Sequence, residues 1–191
     1  IMNKRFVLAS SSPRRKELFK FIIEAFDILS MNVDETTEKT DPLEIVLELA
    51  DKKANATAEQ CGDDAVILGA DTVVVFGDVV LGKPEDKKDA VRMLKMLSGK
   101  SHYVYTGFCI IDKSSGKTVL DYEETKVNFN KMTEKEIVDY VDSAEPMDKA
   151  GAYGIQGLGG KFISGIQGCY FCVMGFPMSK IYDAFKELKL V

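Results

Sequence analysis

The run Ser10-Ser11-Ser12-Pro13-Arg14-Arg15 is the first place in this chain where residue types and spacing suggest chemistry. It follows the apolar, strand-like segment Phe6-Val7-Leu8-Ala9, and Pro13 suits the first position of a helix capped by Ser12. The amino terminus of such a helix exposes unpaired backbone N–H groups and a partial positive charge, so the turn would attract an anion unaided. Arg14 and Arg15 would add charge-assisted hydrogen bonds to phosphate oxygens. Taken alone, the same residues also describe a serine-capped surface helix with two solvated arginines.

Asp71 interrupts the otherwise apolar segment Ala65 to Val75. A carboxylate desolvated in a strand is costly unless it is paired, protonated or bound to a metal. If Gly69 bends the strand or admits a ligand, Asp71 would act at the carboxyl end of a central strand, where open α/β sheets bind ligands. Asp34-Glu35, in a polar loop, could help hold a hard divalent cation through oxygen, although alone they read as ordinary exposed carboxylates. Lys53 and Lys83 read by default as solvated lysines; Lys83, extended between Gly82 and Pro84, is the better placed. Asp148 to Gly157 combines glycines, a charge pair and the amide of Gln156, which suits close approach to a ligand or a lid without chemistry.

Other chemistries find little support. His102 is the only histidine, so a Ser-His-Asp or Cys-His centre would require every partner to converge on it. Cys169 and Cys172 have the spacing of a redox or zinc pair, but no second such pair accompanies them. The chain has no nucleophile elbow, Walker A loop or dinucleotide fingerprint.

The elements that must position these residues alternate between strand and helix. Asp41-Pro42-Leu43-Glu44 opens a long helix reaching about Glu59, and Ala65 to Val75 reads as a central strand buried on both faces. Gly77-Asp78 turns it toward Val79-Val80-Leu81, and a helix over Pro84 to Leu97 follows. His102 to Asp112 and Thr118 to Phe129 alternate as a strand pair, Thr133 and Glu136 cap a short helix, and Glu145 to Gly160 forms a glycine-rich loop. A strand over Lys161 to Ile166 and a helix with Met178, Ile181, Tyr182, Phe185 and Leu188 on one face complete an α/β pattern.

A length of 191 residues predicts a single domain over 1–191, bilobed at most. No apolar run is long enough to cross a bilayer, and four cysteines without a secretory leader predict reduced thiols and a cytoplasmic location. The net charge of -5 disfavours a nucleic-acid polymer as partner while leaving room for a local basic pocket that holds a small phosphorylated ligand.

Together, Leu8 to Arg15, Gly69-Ala70-Asp71-Thr72-Val73-Val74, Gly82-Lys83-Pro84 and Asp148 to Gly157 resemble the Maf family of nucleotide pyrophosphatases. Lys53-Ala54, Tyr105-Thr106-Gly107 and Gly175-Phe176-Pro177 extend the resemblance over nearly the whole chain, in the family's order. It implies a fold like that of the inosine triphosphate pyrophosphatases: a twisted mixed sheet with flanking helices and two lobes around a cleft. It also implies cleavage of a nucleoside triphosphate between its α- and β-phosphates, with a divalent cation, Mg2+ or Mn2+. Asp71 matches the family's proposed proton acceptor; Glu35 with Asp71 would hold the metal, and Lys83 would act in catalysis. Ser10, Arg14, Arg15 and Lys53 would bind the phosphates, and Thr72 and Gln156 would read the base.

Arg14, Thr72 and Gln156 are similar to the pattern of the branch that acts on dTTP and UTP. The alternatives are 7-methyl-GTP or a broader range of purines and, from another class, a nucleotide-binding regulator of cell division. A homodimer is implied by analogy alone. Cys169, Cys172 and Phe176 depart from the family's common pattern, which bears on fine substrate preference.

Overall fold

The structure, a computed structural model, describes residues 4–191. Its sheet is mixed and seven-stranded, ordered β2-β1-β3-β5-β6-β7, with β4 paired to β3. The strands are β1 (Arg5–Leu8), β2 (Asp27–Ile28), β3 (Ala65–Phe76), β4 (Val79–Leu81), β5 (Ser101–Asp112), β6 (Lys117–Phe129) and β7 (Ile163–Gln167). The helices are α1 (Pro13–Phe19), α2 (Pro42–Ala58), α3 (Lys87–Leu97), α4 (Glu134–Asp142), α5 (Tyr170–Val173) and α6 (Met178–Glu187). Among the described residues, no helix is long and apolar enough to cross a membrane.

The chain divides into two compact units. The first takes the chain up to Asp71 together with Thr106–Glu123 and Gly175–Val191; the second takes Thr72–Tyr105 and Glu124–Met174. The long strands β3, β5 and β6 each contribute residues to both.

In the first unit, β1 runs parallel to β3, with Arg5 opposite Ala65 and Leu8 opposite Leu68, and parallel to β2 on its other side. Helix α2 begins where Asp41 accepts the Leu43 N–H, with Pro42 at its first turn. Its buried Ala50, Ala54 and Ala58 recur every fourth residue and pack with Val7, Ala65, Ile67 and Cys109. Small side chains let the helix backbone descend onto the sheet. A Cβ on Gly69 would lie 2.7 Å from the Ala50 carbonyl oxygen and 2.8 Å from the Ala54 nitrogen. The sequence suggested that Gly69 bends β3 or admits a ligand; what it admits is α2. Gly107 on β5 meets the helix the same way, at the Val46 carbonyl. Phe19, Phe176 and Phe185 are fully buried and stack as tilted and edge-on rings beside these elements.

In the second unit, β4 returns antiparallel on β3, with Leu81 opposite Val74. Leu94 and Leu97 of α3, Ile137 and Tyr140 of α4, and Phe129 and Phe162 share one core. Thr133 and Glu136 form the expected reciprocal cap of α4. Helix α3 starts at Lys87 rather than near Pro84, because Asp86 caps it by accepting the Asp89 N–H. The glycine-rich stretch read as loop contains three short 3-10 turns, Glu145–Asp148, Ala150–Ala152 and Leu158–Phe162, so β7 begins only at Ile163. Single turns of this kind have no periodicity that a sequence pattern reports. Neither β2, two residues long, nor the one-turn α5 left a readable signature.

His102 is about 1% exposed, packed edge-on against Phe129 and Tyr153, with its Nε2 2.7 Å from the Tyr153 hydroxyl. Burial lowers its pKa from 6.5 to about 4, so it is a neutral core residue at physiological pH.

Two predictions follow from this packing. Between pH 6.5 and about 4 the unfolded chain binds a proton that the folded chain refuses, so stability should fall as pH drops through that window, by about 3 kcal/mol in all. Urea unfolding measured across it should show a slope that His102→Gln flattens. Gly69→Val places side-chain atoms against helix backbone and should cost about 1–3 kcal/mol, read as a lower unfolding midpoint with the slope of the transition unchanged.

Candidate active site

The first unit builds a charged centre from four segments. After β1 ends, the Ala9 N–H donates to the Leu68 carbonyl at 2.8 Å and carries the pairing with β3 one residue further. The chain then turns through Ser10, whose hydroxyl accepts the Ser12 N–H at 3.2 Å, and Ser12 caps α1 by accepting the Arg15 N–H. This is the expected strand, turn and helix, with Pro13 at the helix start and the half-buried Arg14 in the first turn.

Arg15 runs back across the turn. Its Nε donates to the Gly175 carbonyl at 2.8 Å, and its Nη1 donates to the Ala70 carbonyl at 2.9 Å and to Ser10 Oγ at 3.4 Å. The guanidinium therefore fixes the backbone of β3 one residue before Asp71 and also ties down the chain ahead of α6. The sequence motif included Gly175, but nothing in it showed that its carbonyl would anchor an arginine. Burial lowers the Arg15 pKa, with Asp71 opposing and Arg14 reinforcing the effect. A guanidinium remains charged under these conditions.

Asp71 lies on β3 with its side chain about 11% exposed, and Lys53 reaches it from α2 with Nζ 2.6 Å from Oδ1. The same ammonium lies 3.0 Å from Oε1 of Glu35, whose side chain is about 61% exposed in the loop before α2. Burial raises the Asp71 pKa; Lys53 and Arg15 pull it down and Glu35 pushes it up, and the net direction is upward. The result is a carboxylate more basic than usual, held beside two cations and next to a turn that presents helix N–H groups.

Glu35 and Asp71 approach one another through the Lys53 ammonium that both touch. Among the described residues, no group of three His, Cys, Asp or Glu side chains is close enough to hold a metal ion. Two carboxylates suit a hard cation such as Mg2+, which commonly takes one or two carboxylates and completes its shell with water and substrate phosphates. The donor set thus fits a cation that arrives with a phosphorylated ligand, and not a closed protein cage.

The second unit holds the remaining candidates. Thr72 follows Asp71 directly on β3. Lys83 is exposed in the connection from β4 to α3, before the buried Pro84. The Gly82 carbonyl accepts the Gly151 N–H at 3.0 Å, which joins the Lys83 connection to the segment bearing the exposed Gln156. Sequence reasoning missed Tyr140 and Glu145, which bond to the backbone on either side of Gln156. A buried face tyrosine and a loop-start glutamate carry no signal of such a task.

A cavity of about 540 Å3 opens elsewhere in the first unit, lined by Lys4, Arg5, Lys16, Lys20, Phe26 and Asp27 among others. Lys4 and Arg5 there are neutralised by Asp112 and Asp27, and none of Ser10, Glu35, Lys53 or Asp71 lines it.

The structure is similar to that of the Ham1 protein of Staphylococcus aureus, with a TM-score of 0.54 and 13% identity over 97% of this chain and 100% of that one. The fold is thus of the inosine triphosphate pyrophosphatase type expected from the sequence. A protein of Desulforamulus reducens named dTTP/UTP pyrophosphatase is 47% identical over 94% of each chain. A Bacillus cereus protein of the same name is 47% identical over 98% of this chain and 97% of its own, and one from Clostridium botulinum 44% identical over 97% of each. The model of the Maf-like protein family matches residues 5–188, a span that takes in the turn at Ser10, the Lys53–Asp71 pair and the Gln156 segment alike, and the chain belongs to the Maf family.

Proposed function

We propose that this chain is a nucleoside triphosphate pyrophosphatase that converts dTTP and UTP, and related or modified pyrimidine nucleotides, to the monophosphate and pyrophosphate. The observation that carries the reading is Asp71: a buried carboxylate of raised basicity, 2.6 Å from Lys53 and one residue beyond the carbonyl that Arg15 holds. The names of relatives 44–47% identical support the substrate.

In this mechanism Asp71 accepts the proton of a water as its oxygen attacks the α-phosphorus. The bond from that phosphorus to the bridging oxygen of the β-phosphate breaks, and pyrophosphate leaves. Ser10 and the amino terminus of α1 donate neutral hydrogen bonds to the phosphates, while Arg14, Arg15, Lys53 and Lys83 balance charge that grows on their oxygens. Arg15 contributes through its held position, since its Nε and Nη1 already bond to carbonyls. Glu35 orients the water and, with Asp71, would hold Mg2+ or Mn2+; bound there, the cation would neutralise phosphate charge. Thr72 and Gln156 read the base, and Arg14 assists in choosing pyrimidines. The free thiols of Cys61, Cys109, Cys169 and Cys172 support a cytoplasmic setting.

The test is pyrophosphate release from a panel containing dTTP, UTP, GTP, 7-methyl-GTP and modified pyrimidine triphosphates, with Mg2+ or Mn2+. Faster release from dTTP and UTP supports the reading; preference for a purine, or release from none, overturns it. Asp71→Asn should lower kcat by a factor of about a hundred to ten thousand. In the metal-free chain the Asp71 carboxyl should titrate above 3.8, the ordinary value for this group, as read from its carboxyl NMR shift across the acid range. Gln156→Glu should reorder the panel while the unfolding free energy stays within about 0.5 kcal/mol of native, as surface substitutions generally do; an unchanged ranking removes Gln156 from base reading.

A further inference from the structure

The segment bearing Gln156 is held from beneath by two side chains outside the family motif that marked it. Tyr140, buried on α4, accepts the Gly154 N–H at 3.0 Å and donates its own proton to Glu145 Oε1 at 2.8 Å. Glu145 accepts the Leu158 N–H on Oε2 at 2.8 Å and the Gly159 N–H on Oε1 at 3.1 Å. The captured amides lie two residues before Gln156, and two and three residues after it, so one phenol and one carboxylate clamp both sides of the exposed amide.

The backbone is shaped for this contact. A Cβ on Gly157 would run into the Glu145 carboxylate, and one on Gly159 would lie 2.5 Å from the Tyr140 hydroxyl and 2.7 Å from the Gly154 carbonyl oxygen. Lys149 closes the far side, its Nζ donating to the Glu145 carbonyl at 2.7 Å and to Asp148 at 2.6 Å. Burial pushes the Glu145 pKa up, but bonds from Leu158, Tyr140 and Gly159 together with the Lys149 charge bring it below its ordinary value. Burial and Glu145 raise the Tyr140 pKa. The pair therefore stays as carboxylate and phenol, the forms that accept these amides.

We infer that Tyr140 and Glu145 are positioning residues for nucleotide selection, their clamp on Gly154, Leu158 and Gly159 fixing the crest on which Gln156 meets the base. The inference rests on the proposed pyrophosphatase reading, with Gln156 as base reader. An exposed amide on a wandering loop gives little discrimination, because the ordering cost on binding cancels the hydrogen bonds it makes. A preorganised one contributes its full difference between right and wrong bases.

The experiment uses the full chain as native protein, Tyr140→Phe and Glu145→Gln, with two readouts. Amide hydrogen exchange should accelerate at Gly154 in Tyr140→Phe, and at Leu158 and Gly159 in Glu145→Gln, relative to native protein. The ratio of kcat/KM for UTP to that for GTP should fall about tenfold in each variant, the loss of roughly one well-placed hydrogen bond. It should fall through a higher KM for UTP, with kcat within about threefold of native. Tyr140→Phe keeps the ring that packs on Phe162, and Glu145→Gln tests the clamp should that variant fail to fold. Faster exchange with the UTP to GTP ratio unchanged overturns the inference and leaves the pyrophosphatase reading standing. Unchanged exchange overturns the clamp itself. A native chain that releases pyrophosphate from neither nucleotide overturns the proposed function and the selection role with it, whereas exchange still reports whether the clamp exists.

Discussion

A carboxylate sunk into a strand must be compensated where it lies, and Asp71 is compensated by Lys53 at 2.6 Å. That single pair sets demands on everything near it. Lys53 reaches β3 only because α2 lies with its backbone against the sheet, which in turn requires glycine at position 69 and alanine at 50 and 54. The strand itself must not shift, and Arg15 holds it by the Ala70 carbonyl. Compensation is partial, since the Asp71 pKa still ends above its ordinary value. On the proposed reading, the shortfall is what suits the group to act as a base: an aspartate fully satisfied by cations would be a weak one.

Charge and backbone exchange roles between the two units. In the first, an arginine bonded to backbone carbonyls steadies an acid. In the second, the carboxylate of Glu145 bonds to backbone N–H groups and steadies a loop. In both arrangements a charged side chain bonds main-chain groups of a distant segment directly.

Much of this was legible in the sequence where the physics is local. The cap at Ser12, the first-turn Pro13, the reciprocal cap of Thr133 with Glu136 and the apolar continuity of β3 are short-range or periodic, and each led to the right element. The oddness of an aspartate in that strand singled out Asp71. What stayed hidden depends on contacts between distant segments. Arg15 was legible as a cation but not as a partner of the Ala70 and Gly175 carbonyls. Gly69 signalled a close approach without saying of what. Glu145 and Tyr140 sit in unremarkable contexts, and their task exists only once the chain from 154 to 159 folds over them.

On the proposed reading, the division of the chain into two units has an evolutionary consequence. The general base, its lysine and the phosphate turn belong to the first, whereas Thr72, Gln156 and the clamp beneath it belong to the second. Apart from Arg14, the base-reading residues fall in the second unit, and Lys83 is the one member of the hydrolytic set that shares it. A lineage can then drift from one nucleotide to another through viable intermediates, each still able to break the same phosphoanhydride bond. Duplicated copies would diverge first around Gln156 and last around Asp71.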